Sequence, residues 1–370
     1  MQQIKPDTQH QAKAKWRPDS WKNFQVSQQA DYADVNQLQS VIEELRQLPP
    51  LVDSREIEEL KTKFASAARG ESFVLQGGDC AELFSDCNAE TITNKLKILL
   101  QMSLVLVHGL NKPVIKVGRL AGQYAKPRSA ATETLNGISL PCYRGDLINE
   151  AAFETELRQA DPRRLLKGYS FASLTLNYIR TLIENQFTDL SQMKSWDLDF
   201  VSHSPLAEDY QKILAQISSS ITLLENLNAG QNPTAIKDKI YTCHEALHLD
   251  YEQALTRRSE NGRWYNLSTH LPWIGMRTAQ LDSAHLEYMR GIANPVAVKI
   301  GPNCNPDHLL KLCDILDPDN TPGRLLLITR FGSSKIAKNL PPLVKAIQAQ
   351  DRLPLWCSDP MHGNTSVTEQ

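Results

Sequence analysis

With 370 residues the chain exceeds the roughly 100 to 200 residues of an ordinary single-core domain, a length that suits an α/β barrel with additions. Hydrophobic residues make up 41% of it, enough for a large core, while no run approaches the ~18 consecutive apolar residues of a membrane span. The balance of 40 Lys and Arg against 42 Asp and Glu excludes the basic excess of sequence-independent nucleic-acid binding, so any anion must be met by a local cluster.

Met1 to Lys15 is polar and carries neither the apolar segment of a secretory leader nor the Arg/Ser-rich bias of a transit peptide. Residues 1–70 read as a helical extension anchored by Trp16 and Trp21, with Leu48-Pro49-Pro50-Leu51 breaking two helical stretches. From residue 71 short β-rich runs alternate with longer helical stretches. The runs are Ser72–Gln76, Pro113–Gly118, Lys239–Cys243, Tyr265–Ser268, Pro295–Ile300, Arg324–Thr329 and Leu353–Cys357. One helix is expected near residues 89–110. Another opens at Ser204-Pro205 as N-cap and first helical position, buries Ile213, Ile217, Ile221 and Leu224, and ends near Gly230.

The alternation predicts a parallel sheet whose strand ends carry Cys80, Arg119, Glu245, His270, Lys299, Arg330 and His362. Such residues at every strand end favour a TIM-like (β/α)8 barrel, one strand short, over a doubly wound sheet, which gathers its ligand-binding residues at one switch point. The seven cysteines are odd in number and form no CxxC pair, which fits a reducing cytoplasm.

Arg119, Lys126 and Arg128 follow the second run, Arg277 the fourth and Arg330 the sixth, while Lys299 lies on the fifth. Any one alone would be a solvated charge, but six on converging loops can hold two anionic substrates, Arg as a planar fork and Lys as a point charge. Cys80 and His362 lie beyond the first and last runs and suit a transition metal such as Mn, Fe, Co or Zn, although separately each reads as an ordinary buried thiol or hydrogen-bonded imidazole. His244-Glu245-Ala246-Leu247-His248 matches the zinc-protease pattern HExxH, which requires a helix. The run into His244 is a strand, so His244 and Glu245 are expected to line a strand-end pocket instead.

Many ordered motifs now become recognisable. Gln76-Gly-Gly-Asp-Cys80-Ala-Glu82, Gly118-Arg-Leu-Ala-Gly-Gln123, Lys126-Pro-Arg-Ser129 and Tyr143-Arg-Gly-Asp146 are followed by His244-Glu245-Ala246, Ser268-Thr-His270 and Trp273-Ile-Gly275. Asn294-Pro295 with Lys299, Thr329-Arg330 and Asp359-Pro-Met-His-Gly-Asn-Thr365 complete the series. Together with Trp16-Arg-Pro18, Trp21 and Tyr32 in the arm, they resemble the type II (plant-type) 3-deoxy-D-arabino-heptulosonate 7-phosphate synthases over nearly the whole chain. The resemblance implies condensation of phosphoenolpyruvate with erythrose 4-phosphate, the entry step of the shikimate pathway. It implies that Arg119, Arg277, Lys299 and Arg330 hold phosphoenolpyruvate and that Lys126, Arg128 and Ser129 hold the sugar phosphate. Cys80 and His362 would be ligands of a divalent metal, Mn²⁺, Co²⁺ or similar. Residues 1–70 would be the extension and 71–370 the catalytic barrel, homo-oligomeric if complete, with no nucleic-acid or membrane partner.

Two departures from the family pattern follow. Met276 stands where many plant-type members have an acidic residue. The family also continues past the Asp359 motif into a helix, an eighth strand with a Glu ligand and a loop with an Asp ligand, so the barrel is expected to lack its last strand and helix. The alternative expectation is a catalytically silent fragment or regulatory module that retains phosphoenolpyruvate affinity.

Overall fold

The computed structural model describes residues 15–185, 204–227 and 239–364, with the side chains at 218 and 220–227 set aside. Among the described N-terminal residues, two helices lie on either side of the proline break. Helix α1 (Val35–Gln47) is capped by the Asp34 carboxylate, which accepts the Gln37 N–H at 2.9 Å. Helix α2 (Ser54–Ala68) opens with a reciprocal capping box between Asp53 and Glu56. Between them the proline break tucks Leu51 and Val52 inward, where both backbone N–H groups donate to the Leu267 carbonyl.

Elements then follow in order: β1 (Phe73–Gly78), α3 (Ala89–Leu110), β2 (Val114–Arg119), the hairpin β3 (Thr132–Leu135) and β4 (Ile138–Pro141), α4 (Arg163–Glu184) and α5 (Ala207–Leu227). Next come β5 (Ile240–Glu245), α6 (Leu249–Ala254), the hairpin β6 (Thr256–Arg258) and β7 (Trp264–Asn266), β8 (Leu271–Ile274) and α7 (Ala284–Gly291). The chain closes with β9 (Val296–Ile300), α8 (Pro306–Leu316), β10 (Leu325–Thr329), α9 (Ser333–Gln348) and β11 (Leu355–Ser358).

Seven strands pair in the order β1-β2-β5-β8-β9-β10-β11, every pair parallel. One apolar cluster joins Val117, Cys243, Trp273, Ala297, Ile328 and Leu355 from six of these strands, which requires the sheet to curl into a nearly closed barrel. Leu60, Phe64 and Ala67 of α2 pack into the same cluster, so the extension completes the barrel core. Outside, α7, α8 and α9 cover β9 and β10 through Leu286, Leu309 and Leu343. Strands covered on both faces must be apolar on both, and β10 is buried at every position.

Four expectations change. Tyr265–Ser268 is not a barrel strand: Trp264–Asn266 pairs antiparallel with Thr256–Arg258, and the barrel strand is Leu271–Ile274. His270 therefore precedes its strand and lies at the N-terminal end of the barrel, where its Nδ1 accepts the Thr242 N–H at 2.9 Å. The helix expected from Pro205 begins at Ala207, after a turn in which Ser204 Oγ accepts the Leu206 N–H at 3.2 Å. Ile213 and Ile217 are half-buried, while Gly230 and the side chains of Ile221 and Leu224 fall outside the described residues. The β3–β4 hairpin, absent from the sequence reading, turns at Asn136-Gly137 with φ of 50° and 80°, the left-handed pair that a two-residue hairpin requires. Among the described residues, no helix is long and apolar enough to cross a membrane.

Candidate active site

The C-terminal ends of the barrel strands bring the expected cations together. Arg119, last residue of β2, donates from Nη2 to the Cys80 carbonyl at 3.0 Å. Its guanidinium lies 4.8 Å from the centroid of the fully buried Trp273 ring on β8, and the Lys299 ammonium on β9 sits 5.6 Å from the same ring. Arg277 occupies a one-turn helix, Met276–Thr278, directly after β8, and its Nη2 donates to Ser129 Oγ at 2.8 Å. Arg330 follows β10 and donates its N–H to the Ile300 carbonyl at 2.9 Å. On the loop after β2, the Lys126 N–H donates to the Arg144 carbonyl at 2.8 Å, and Arg128 Nε donates to the Tyr143 carbonyl at 2.5 Å.

Four of these cations share one anionic neighbour. Glu245 ends β5 with its carboxyl buried, and burial pushes its pKa up while Lys299, Arg119, Arg277 and Arg330 each draw it down. Its Oε1 finds no hydrogen-bond partner among the described residues. Burial lowers the Lys299 pKa and the Arg119 charge lowers it further, against the attraction of Asp359 and Glu245. Four cations thus stand over one buried carboxyl, a field that favours an incoming phosphate or carboxylate.

A second buried carboxylate holds the surrounding loop. Glu82 accepts the backbone N–H groups of Ala121, Gly122 and Gln123 at 3.1, 3.0 and 2.8 Å. Burial raises its pKa, and these donors oppose the rise. Gln123 in turn accepts the Glu245 N–H through Oε1 at 2.9 Å, so the loop that follows Arg119 is tied to the strand end bearing Glu245.

Cys80 is exposed beyond β1 and His362 is half-buried beyond β11. His362 Nδ1 lies 2.7 Å from Asp359 Oδ2, while Lys299 Nζ lies 3.4 Å from the same oxygen. Burial opposes ionisation of Asp359, but the His362 backbone N–H and Lys299 outweigh it and hold its pKa at about 2. Burial and then Lys299 lower the His362 pKa against the pull of Asp359. A neutral imidazole with its proton directed at Asp359 presents the Nε2 lone pair, which no described residue engages, the arrangement of a carboxylate-oriented metal ligand. His362 therefore fits a divalent metal. Among the described residues, however, no group of three or more His, Cys, Asp or Glu gathers as a ligand set.

The HExxH reading fails on geometry. His244 lies on β5, with Nε2 2.8 Å from Glu252 Oε1, and His248 stands at the N-cap of α6 with Nε2 2.8 Å from the Tyr32 hydroxyl. The two imidazoles occupy a strand and a cap and serve different partners. Sequence reasoning passed over Asp359, Glu82 and Gln123. All three stand inside the ordered motifs of the sequence, but no role was read for them there: Asp359 shows only a spacing of three from His362, and the other two act through backbone groups that a sequence does not display.

Residues 16–370 match the class-II DAHP synthetase family. A phospho-2-dehydro-3-deoxyheptonate aldolase of Neurospora crassa is 42% identical over 367 residues, covering 95% of this chain and 76% of the relative. One of the same name from Streptomyces coelicolor is 43% identical over 348 residues, covering 94% and 77% respectively.

Proposed function

The chain belongs to the class-II DAHP synthetase family, and from that membership we propose how its residues divide the work of DAHP synthesis, the first step of the shikimate pathway. The substrates are phosphoenolpyruvate and erythrose 4-phosphate. The observation that carries the assignment is the convergence of Arg119, Arg277, Lys299 and Arg330 on the buried Glu245 carboxyl. These four cations hold the phosphate and carboxylate of phosphoenolpyruvate, Arg through paired N–H groups and Lys299 as a point charge. Lys126, Arg128 and Ser129 hold the sugar phosphate, and the Arg277–Ser129 hydrogen bond links the two half-sites. The proposed fold is TIM-like, an incomplete (β/α)8 barrel with seven barrel strands among the described residues, residues 1–70 being its helical extension and 71–370 its catalytic part.

Clamping both substrates at one strand-end rim sets C3 of the enol against C1 of the aldehyde. As the C2–C3 π pair forms the new bond to C1, the carbonyl pair moves onto the aldehyde oxygen, which takes a proton from solvent, and C2 becomes cationic. Water then adds to C2, and phosphate departs from C2 with the electron pair of the breaking C–O bond and the proton of the new hydroxyl, which becomes the ketone. Glu245, buried and partnerless at Oε1, takes the proton of that water, and the surrounding cations favour the carboxylate form that accepts it. Cys80 and His362, the latter oriented by Asp359, would hold a divalent metal, Mn²⁺ or Co²⁺, which when bound polarises the aldehyde carbonyl. All seven cysteines are free, which supports a cytoplasmic location.

Titration calorimetry tests the anion assignment: the chain is expected to bind phosphoenolpyruvate, and Arg330→Ala to weaken it roughly tenfold to a hundredfold. A folded chain that binds none would overturn it. Single-turnover assays with added Mn²⁺ then distinguish a synthase from a silent phosphoenolpyruvate-binding module.

A further inference from the structure

The extension does more than complete the barrel core, because the stretch between Trp21 and α1 crosses the rim where the anion-binding loops meet. The Gln28 carboxamide makes a two-way pair with the backbone of Arg128: Nε2 donates to the Arg128 carbonyl at 3.0 Å, and Oε1 accepts the Arg128 N–H at 2.9 Å. The next residue adds a second hold, since the Gln29 carbonyl accepts Arg144 Nη1 at 2.8 Å. The Arg144 carbonyl is itself the acceptor for the Lys126 N–H. The extension therefore holds Arg128 directly and Lys126 through Arg144.

Gln28 adopts φ of +61°, the left-handed region that a long side chain avoids and glycine enters freely. The contacts around it over-determine this conformation, and the conformation delivers the carboxamide to the Arg128 backbone. We infer that Gln28 is a positioning residue for the sugar-phosphate half-site, fixing the backbone from which Arg128 and Ser129 project, and that the extension is thereby part of the active site. This rests on the reading of Lys126, Arg128 and Ser129 as sugar-phosphate contacts. Arg128 carries the charge, Ser129 shares its hydroxyl with Arg277, and a loop free to drift would separate the sugar phosphate from the enol it must meet.

Gln28→Gly separates this role from a merely structural one, because it relieves the left-handed strain while deleting the carboxamide. Gln28→Glu keeps the acceptor for the Arg128 N–H and loses the donor, and it serves if the glycine variant does not fold. Erythrose 4-phosphate affinity, measured by calorimetry on the phosphoenolpyruvate-loaded chain, is expected to fall roughly tenfold in Gln28→Gly, as for two lost hydrogen bonds, and by a similar factor in Gln28→Glu, where one hydrogen bond is lost and a carboxylate is set against the Arg128 carbonyl. Phosphoenolpyruvate affinity of the same variants should stay at the wild-type value. In turnover the change should appear in KM for the sugar phosphate rather than in kcat. Unchanged sugar-phosphate affinity in a folded Gln28→Gly chain overturns the inference, and so does an equal loss of both ligands. A wild-type chain that binds phosphoenolpyruvate but no erythrose 4-phosphate overturns instead the reading on which the inference rests.

Discussion

Position 275 shows how tightly the site is set at single residues. A Cβ added to Gly275 would lie 2.0 Å from Glu245 Oε1, so only glycine lets the strand-end carboxyl lie flat against the turn that carries Arg277. Confined there among four cations, Glu245 offsets their charge and, in the proposed mechanism, accepts a proton, and the two roles predict opposite effects for one substitution. Glu245→Gln preserves shape and removes the charge, so phosphoenolpyruvate should bind at least as tightly. Turnover should drop by about 10² to 10⁴, the usual share of a general base. Parallel calorimetry and steady-state kinetics read the two effects, and full turnover in the glutamine variant would remove Glu245 from the proton path.

Arg324 does at the scale of elements what Glu245 does at the scale of the site. It is buried at the start of β10, where Nε donates to the Leu316 carbonyl at 3.1 Å and Nη2 to the Met289 carbonyl at 2.8 Å, while Nη1 reaches the Asn294 carbonyl. One guanidinium thus satisfies carbonyls from the last turns of α8 and α7 and from the entry to β9. Burial lowers its pKa to about 10, which leaves it charged at neutral pH. Arg324→Leu should cost about 3 kcal/mol or more, because the stranded carbonyls lose charged donors in a dry site, and denaturant unfolding would measure it. Six of the seven barrel strands were legible in the sequence within a few residues, because apolar runs such as Leu325–Thr329 are buried on both faces and cannot be disguised. The exception is instructive. Pro272 sits inside β8, where a missing N–H argues against a central strand, while Trp264-Tyr265-Asn266 has the aromatic content of one. Likewise the cations were legible because they are spelled at strand ends, whereas Gln28 reaches Arg128 across a separation of 100 residues that no local pattern encodes.

Across the whole molecule, burial of histidine sets a dependence on pH. Burial lowers the pKa of His248 and His270 below the ordinary 6.5, and that of His285 to about 4. Between about pH 4 and 6.5 the unfolded chain accepts protons that the folded chain refuses, so stability falls as pH drops through that window and is level with respect to these groups above it. The thermal midpoint should decline from pH 7 to pH 5, and His285→Gln should flatten part of the decline. A midpoint constant over that range would show that these imidazoles remain accessible to protons. A different consequence follows from the Trp273 ring, walled from water at the heart of the barrel with Arg119 and Lys299 over it. Any anion that draws those two charges toward itself changes the electric field across the indole and with it the wavelength of its emission. The barrel thus carries its own dye, and an unlabelled sample in a fluorimeter can watch its site fill.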